Sequence, residues 1–172
     1  GERSGTVIEP MVSKQWFLNV KDMSKVALDA VKSGKMTFYP KGWENTYFSW
    51  LENPQDWCLS RQLWWGHQIP IFTCESCQHQ FASEVNPSSC PKCQSKHFIQ
   101  DPDVLDTWFS SGLWPLSTLG WPDSETMKKR NFETFYPTNT LVTGFDIIFF
   151  WVARMMMMCT KMSNKVPFSD VY

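Results

Sequence analysis

The chain has 172 residues, a formal net charge of −1 at pH 7, ten Trp and thirteen Phe. This length allows one domain with a hydrophobic core, and the near-neutral charge excludes an overall basic surface that binds nucleic acid by charge alone. No signal peptide is recognisable, and the longest apolar run, residues 147–159, is interrupted by Arg154 and too short to cross a bilayer. We therefore expect a cytoplasmic protein with no membrane segment.

Short extended segments and helices alternate in the first third of the chain. The predicted elements are extended segments at residues 6–10, 13–18 and 36–39, and helices at residues 22–33 and 42–52. The first helix is predicted because Val26, Ala27, Ala30 and Val31 recur at helical spacing, and because Gly34 is a typical stop signal. The second helix carries its aromatic residues on one broad apolar face.

Four cysteines in two pairs are the most specific local signal. Cys74 and Cys77 form one Cys-x2-Cys pair, and Cys90 and Cys93 form a second after twelve intervening residues. This spacing is typical of a structural zinc ion held by four thiolates, which leaves no open position for a catalytic water. Two disulfides or four unrelated thiols are the alternative. We expect the other two cysteines, Cys58 and Cys159, to be buried, unpaired thiols.

The second half of the chain predicts half of a βαβ unit. The predicted elements are a strand at 69–73, a small hairpin at 78–89, a helix or tight turn at 103–113, a short helix from 124, a strand at 140–143, a long helix to about 162 and a strand at 170–172. Gly144 lies in the turn between the strand and the long helix. In open α/β sheets, ligands bind at the carboxyl ends of such strands.

Four stretches carry a resemblance to a known family. They are Ser-Lys-Gln-Trp-Phe at 13–17, Asp-Trp-Cys-Leu-Ser-Arg-Gln-Leu-Trp-Trp-Gly-His at 56–67, Asp-Val-Leu-Asp-Thr-Trp-Phe-Ser-Ser at 103–111, and Leu-Val-Thr-Gly-Phe-Asp-Ile-Ile-Phe-Phe-Trp-Val-Ala-Arg-Met at 141–155. The chain resembles the class I aminoacyl-tRNA synthetases, and within them the branch specific for valine. The resemblance implies an α/β, Rossmann-type catalytic domain with a small zinc-ribbon insert.

The resemblance also implies how the chain is divided. The expected segments are the tail of an editing insertion with connecting strands at 1–20, a helical and strand segment of the catalytic domain at 21–73, the zinc ribbon at 74–98 and a second-half Rossmann segment at 99–172. The remainder of the parent protein would lie outside this sequence.

Site residues are likewise implied by the resemblance. Trp108, Ile147 and Trp151 would line a pocket for the valine side chain. Thr143, Gly144 and Asp146 would lie beside the adenylate, and Arg61 and Gln62 would either orient the tRNA acceptor end or tie the zinc insert to the catalytic body. The parent would use ATP and Mg²⁺ to form valyl-adenylate and transfer the aminoacyl group to tRNA(Val). No side chain is expected to act as a nucleophile.

Two phosphate-binding signatures of the class do not occur in this sequence. These are His-Ile-Gly-His and Lys-Met-Ser-Lys-Ser; residues 161–165 imitate the second but carry Asn164 in place of a lysine. We interpret this stretch as the end of the long helix, so the chain by itself is predicted to be inactive.

Two alternative functions remain. An isoleucine-specific synthetase of the same class is one, although Thr143 and the Ile147-Ile148 pair match the valine-specific form. A stand-alone zinc-ribbon module that binds RNA is the other. The second alternative explains neither the near-neutral charge nor the strand, glycine turn and helix of residues 140–162.

Overall fold

A computed structural model describes residues 1–2 and 4–172. The strands are β1 (Phe17–Leu18), β2 (Thr37–Phe38), β3 (Trp57–Cys58), β4 (Ser60–Arg61), β5 (Ile71–Cys74), β6 (Gln80–Ala82), β7 (Phe98–Gln100), β8 (Val104–Leu105), β9 (Thr138–Leu141) and β10 (Phe168–Val171). The α-helices are α1 (Lys21–Lys32), α2 (Trp43–Leu51), α3 (Thr107–Gly112), α4 (Trp114–Ser117), α5 (Ser124–Lys129), α6 (Phe132–Phe135) and α7 (Arg154–Ser163). None of the helices in the described residues is long and apolar enough to cross a membrane.

One sheet of the fold has three parallel strands in the order β2-β10-β9. Asp170 in the central strand pairs with Thr37 on one side and with Thr140 on the other. β9 and β10 are parallel neighbours joined through α7, which is a βαβ crossover. The predicted half of this unit is therefore confirmed. The strand predicted at 140–143 begins earlier, at Thr138, and ends at Leu141.

The main core surrounds α7. Met155, Met156, Met157 and Met158 are all at most 4% exposed, and the helix packs against α1 on one side and α3 on the other. Four consecutive residues of a helix point in all directions, so their joint burial means that α7 is enclosed by protein. Methionine suits this position because its flexible side chain fills irregular gaps.

The segment before α7 is not the regular α-helix that we predicted. A 3₁₀ turn covers Phe145–Ile147 and a π-helix covers Ile148–Ala153 before α7 begins. Ile147, Phe149 and Trp151 therefore lie on turns whose period differs from that of α7. Over so few residues, the spacing of apolar side chains does not distinguish a π-helical turn from an α-helical one.

The two helices predicted in the first third are confirmed, with bounds shifted by one residue. α1 ends in the expected glycine turn: Gly34 has a φ of +73°, and the N–H of Lys35 donates to the Ala30 carbonyl at 2.9 Å. Such a left-handed turn closes the last carbonyls of a helix and favours glycine. α2 packs on α1, where the buried Tyr47 hydroxyl donates to the Ala27 carbonyl at 3.1 Å.

A four-cysteine module, residues 71–100, forms an antiparallel sheet in the order β6-β5-β7. Its small core consists of Phe72, Phe81 and Phe98, whose ring centroids lie 5.8–6.1 Å apart. The hairpin predicted at 78–89 is wrong, because β6 pairs with β5 rather than with a strand inside that range. Cys74 ends β5 and Cys77 lies in the turn that leads to β6, so the cysteine pair lies where the chain reverses.

Candidate functional site

A cavity of about 200 Å³ opens at the carboxyl ends of the parallel strands. Thr143 and Gly144 line it, and the Thr143 N–H donates to the Tyr172 carbonyl at 2.8 Å. Asp146 follows in the first 3₁₀ turn, is exposed, and places its carboxylate over Gly144, where a Cβ atom would collide with it. The structure therefore brings Thr143, Gly144 and Asp146 together at the ligand-binding edge of the sheet.

Aromatic rings border this cavity. Tyr39 stacks on Tyr172 with centroids 4.7 Å apart, and Trp43 stacks on Phe145 at 5.0 Å. Both stacks join the end of β2, or the residues after it, to the segments that follow β9 and β10. Flat apolar walls beside exposed backbone and a carboxylate are typical of a small-molecule site.

The two predicted pocket tryptophans lie on segments that contact each other. Trp108 is half-buried in the first turn of α3 and stacks on Phe150 with centroids 5.7 Å apart. Trp151 is half-buried in the π-helix and donates its indole N–H to the Ser111 carbonyl of α3 at 3.1 Å. Ile147, at the end of the 3₁₀ turn, is also half-buried. Trp151 lines a cavity of about 410 Å³, whose lining includes neither Trp108 nor Ile147.

A buried charge cluster, formed by Trp57, Arg61, Asp106 and Arg154, lies behind these residues. One Asp106 carboxylate oxygen accepts from the Trp57 indole N–H at 2.8 Å and from Arg154 Nη1 at 3.2 Å. The same oxygen lies 3.0 Å from Arg61 Nη2. The other oxygen accepts from the Trp108 N–H at 3.2 Å and caps α3. Two guanidinium groups thus share one carboxylate.

Arg154 is the second buried charge of this cluster. It is 7% exposed, and its guanidinium lies 3.9 Å from the centroid of the Trp57 ring. Burial lowers the pKa of Arg154, and the charge of Asp106 opposes that effect. Neither Asp106 nor Arg154 was among the site residues predicted from the sequence. The sequence did contain one indication of this cluster: Arg154 is a single charge inside the apolar run 147–159. A charge on a buried helix needs a partner of opposite charge or a hydrogen-bond acceptor.

Arg61 and Gln62 both make contacts within the protein body. Arg61 Nη1 donates to the Cys58 carbonyl at 2.9 Å. Gln62 Nε2 donates to Asp103 at 2.7 Å and to Gln15 at 3.0 Å. These bonds hold β4 against the flanking chain, and their partners lie outside residues 74–98.

The four cysteine sulphurs form a compact cluster that could hold a metal ion. All four Sγ atoms lie within 4.8 Å of one another; Cys74 and Cys93 are 3.6 Å apart, and Cys77 and Cys90 are 3.8 Å apart. A tetrahedral ion with metal–sulphur distances of about 2.3 Å places its ligands about 3.8 Å from one another. The geometry therefore fits a tetrahedral ion, and all six cysteines of the chain are unpaired.

The environment of the sulphurs also favours a cation. Burial raises the pKa of Cys74, but N–H donors from Cys77 and Ser76 outweigh it and lower the value to about 6. For Cys93, an N–H from Ser95 lowers the pKa, but hydrogen bonds to the other sulphurs outweigh it and raise the value to about 12. Four ionised thiolates at these distances repel one another, so all four sulphurs can be deprotonated together only with a positive ion between them. Neither His79 nor His97 belongs to the cluster.

Residues 161–165 end α7, as we predicted from their sequence. Asn164 adopts the left-handed conformation with a φ of 58°, which asparagine tolerates better than lysine. Lys165 forms an ion pair with Glu133 at 3.0 Å on the surface. The C-terminal turn of the helix thus explains the asparagine in this stretch.

Comparisons with known proteins place the chain in a family. The model of "tRNA synthetases class I (I, L, M and V)" matches residues 5–172. The valine--tRNA ligase of Clostridium acetobutylicum is 56% identical over 171 residues, covering 99% of this chain and 19% of that protein. The valine--tRNA ligase of Wolinella succinogenes is 53% identical over 175 residues, with the same coverage.

The fold has a relative among solved structures. A LeuRS of Agrobacterium radiobacter K84, in a ternary complex with tRNA and LeuAMS, matches with a TM-score of 0.53 and 19% identity, over 69% of this chain and 19% of that one. The chain spans about a fifth of the length of the curated relatives it matches. Since the family model covers nearly every residue, the chain belongs to the class I tRNA synthetases.

Proposed function

We propose that this chain forms part of the catalytic domain of a cytoplasmic valine--tRNA ligase. The whole enzyme would join valine to ATP as valyl-adenylate, release pyrophosphate, and transfer the valyl group to tRNA(Val). The observation that carries this proposal is the identity of 53–56% to two valine--tRNA ligases across 99% of the chain. The contact between the two segments that bear Trp108 and Trp151 supports it independently.

The valine side chain would lie between α3 and the turns that precede α7. Trp108 and Trp151 supply flat aromatic walls, and Ile147 supplies a rigid branched one. Each is only half-buried, so part of its surface is open to a ligand. Rigid apolar groups suit a small branched side chain, because little conformational freedom is lost when it binds.

The adenylate would lie at the carboxyl edge of the sheet, beside Thr143, Gly144 and Asp146. The backbone of Thr143 is held by Tyr172, and the exposed Asp146 carboxylate would accept hydrogen bonds from ribose hydroxyl groups. Attack of a carboxylate on a phosphate needs orientation and charge stabilisation rather than a protein nucleophile. Mg²⁺, when bound with ATP, would neutralise phosphate charge.

The four-cysteine module would be a zinc ribbon. Cys74, Cys77, Cys90 and Cys93 would fill all four positions of a tetrahedral ion, so the zinc would be structural. It would hold the turn after β5 against the turn before β7. Arg61 and Gln62 lie outside the module, and their hydrogen bonds to residues 15, 58 and 103 support a structural role for both.

The two alternative functions have less support. A stand-alone zinc-ribbon module would match a family model over the four-cysteine module alone, whereas the synthetase model covers residues 5–172. The isoleucine-specific alternative has less support because the two relatives described above, which are 56% and 53% identical to this chain, are both valine--tRNA ligases.

Exchange of pyrophosphate into ATP tests the proposal. The full-length protein that carries this chain is expected to catalyse exchange with valine far better than with isoleucine, and to charge tRNA(Val). The 172-residue chain alone is expected to give none, because it lacks both phosphate-binding sequences. Exchange that depends on isoleucine rather than valine would contradict the proposal.

A further inference from the structure

The Asp106 carboxylate lies at the junction between the two walls of the proposed valine pocket. One of its oxygens accepts from the Trp108 N–H and so starts α3, the helix that carries the Trp108 wall. The other accepts from Arg154, the first residue of α7. Arg154 follows Trp151 by three residues on the same continuous helical segment. One side chain therefore holds both walls.

We infer that Asp106 is a positioning residue: through Arg154 it sets the separation of Trp108 from Ile147 and Trp151, and thereby the size of amino acid that the pocket accepts. This inference rests on the proposed function. Asp106 does not contact the substrate. It acts through the backbone of α3 and through the helix that begins at Arg154.

A second hydrogen bond connects α3 to the segment that carries Trp151 and further restricts how the two walls lie relative to each other. The Trp151 indole N–H donates to the Ser111 carbonyl, near the end of α3, at 3.1 Å. Asp106 caps the other end of the same short helix. With one link at each end, α3 can neither tilt nor slide without breaking a hydrogen bond. Beyond Arg154, the buried methionines of α7 anchor the second wall in the core.

The negative charge is essential to this role. Asp106 and Arg154 are 5% and 7% exposed, so their attraction is weakly screened by water. Arg61 adds a second positive charge on the same oxygen. If the carboxylate became an amide, two guanidinium groups and the Trp57 N–H would face a group with no charge to balance them. We therefore expect Arg154 to move away from α3 and the pocket to widen.

The test is Asp106→Asn in the full-length protein, measured by pyrophosphate exchange. Asparagine is a good helix cap, so α3 should still form, and only the charge is lost. We expect the KM for valine to rise about tenfold, the KM for ATP to stay within about twofold, and the preference for valine over isoleucine to fall about tenfold. One methylene in an apolar pocket is worth about 10–200-fold in discrimination, so a wider pocket loses part of that range.

The matched control is Asp103→Asn, the same chemical change three residues earlier. The Asp103 carboxylate accepts from Gln62 and belongs to no contact of the buried charge cluster, so the amino-acid preference should stay at the unsubstituted value. A purely structural role for Asp106 would lower the melting temperature and leave the valine KM and the valine preference unchanged in the folded enzyme. That result would overturn the inference and leave the proposed function intact.

A second variant covers the case in which Asp106→Asn does not fold. Trp57→Phe removes one donor to the carboxylate while keeping an aromatic ring and every charge. We expect a rise of about threefold in the valine KM, with the ATP KM unchanged; no change in the valine KM would overturn the inference. Failure of the unsubstituted enzyme to activate valine would instead contradict the proposed function, and this inference with it.

Discussion

Half-buried aromatic side chains are the residues on which the proposed amino-acid pocket depends. Trp108 packs against the main core and still keeps an open face. In this respect it differs from Tyr47 and Tyr136, which are at most 2% exposed. A tryptophan in this position can be a pocket wall or a part of the core, and these two roles predict different effects of its removal.

Trp108→Ala separates the two roles. As a pocket wall, Trp108 contributes apolar contact with a few methyl groups, so its loss should cost about 1–3 kcal/mol of valine binding at about 25 cal/mol per Å². The valine KM should then rise about five- to 160-fold, and the ATP KM should barely change. The measurements are both KM values in the full-length protein, beside a melting curve.

Trp121→Ala is the matched control for this substitution. Trp121 also packs against the main core and has no proposed contact with valine. Its truncation should lower stability, at a cost of about 3–5 kcal/mol for a core tryptophan, without changing the valine KM of the folded enzyme. If Trp108→Ala behaved in the same way, Trp108 would be an ordinary core residue.

Among the elements, the four-cysteine module is the most independent. Its aromatic core of Phe72, Phe81 and Phe98 is separate from the residues around α7. A three-stranded sheet of this size buries too little apolar surface to be stable alone, so a bound metal would supply much of its stability.

Metal removal should therefore loosen the module and leave α7 folded. We expect one zinc per chain, at about 2.3 Å from each of the four sulphurs. After chelation, amide hydrogen exchange should accelerate in residues 74–98 and stay slow in residues 154–163. Cys77→Ser should reproduce the effect without chelator, whereas Cys58→Ser should not. A freshly reduced sample without metal, or with a disulfide between Cys74 and Cys93, would contradict this expectation.

For the whole molecule, buried acids such as Cys159 and Tyr136 make the free energy of unfolding depend on pH in the alkaline range. Burial raises the pKa of Cys159 from 9.0 to about 12, and burial likewise raises that of Tyr136 from 10.0 to about 12, with a partial offset from Ser163. Both groups are neutral when protonated, so the folded state holds these protons more tightly than the unfolded state. The stability they contribute is complete below pH 9 and is lost between about pH 9 and 12.

The free energy of unfolding should therefore fall above pH 9, and the Cys159 thiol, which titrates there in the unfolded chain, should contribute at most about 1.4 kcal/mol per pH unit to that fall. Urea unfolding at pH 7, 9 and 10 measures this slope. Cys159→Ala should reduce the slope between pH 9 and 10, and Cys58→Ala, at a half-buried position, should leave it nearly unchanged. An equal slope in the Cys159→Ala variant would refute the assignment.

The sequence by itself determined those features that depend on residues close together in the chain. The spacing of Cys74, Cys77, Cys90 and Cys93 predicted a cluster that the sulphur positions then fitted. Helical periodicity and Gly34 located α1 to within one residue. The motifs at 56–67, 103–111 and 141–155 resemble the family to which the chain belongs.

Only the tertiary structure decided which distant residues meet. Residue 37 lies beside residue 170 in the sheet, and the Asp106 carboxylate gathers Trp57, Arg61 and Arg154. No local pattern encodes such a pairing, because it results from the packing of elements far apart in the chain. The π-helix before α7 was also beyond prediction, since six residues are too few to distinguish its period from that of an α-helix. Family resemblance named the pocket residues, but the buried charges that would hold them became visible only in three dimensions.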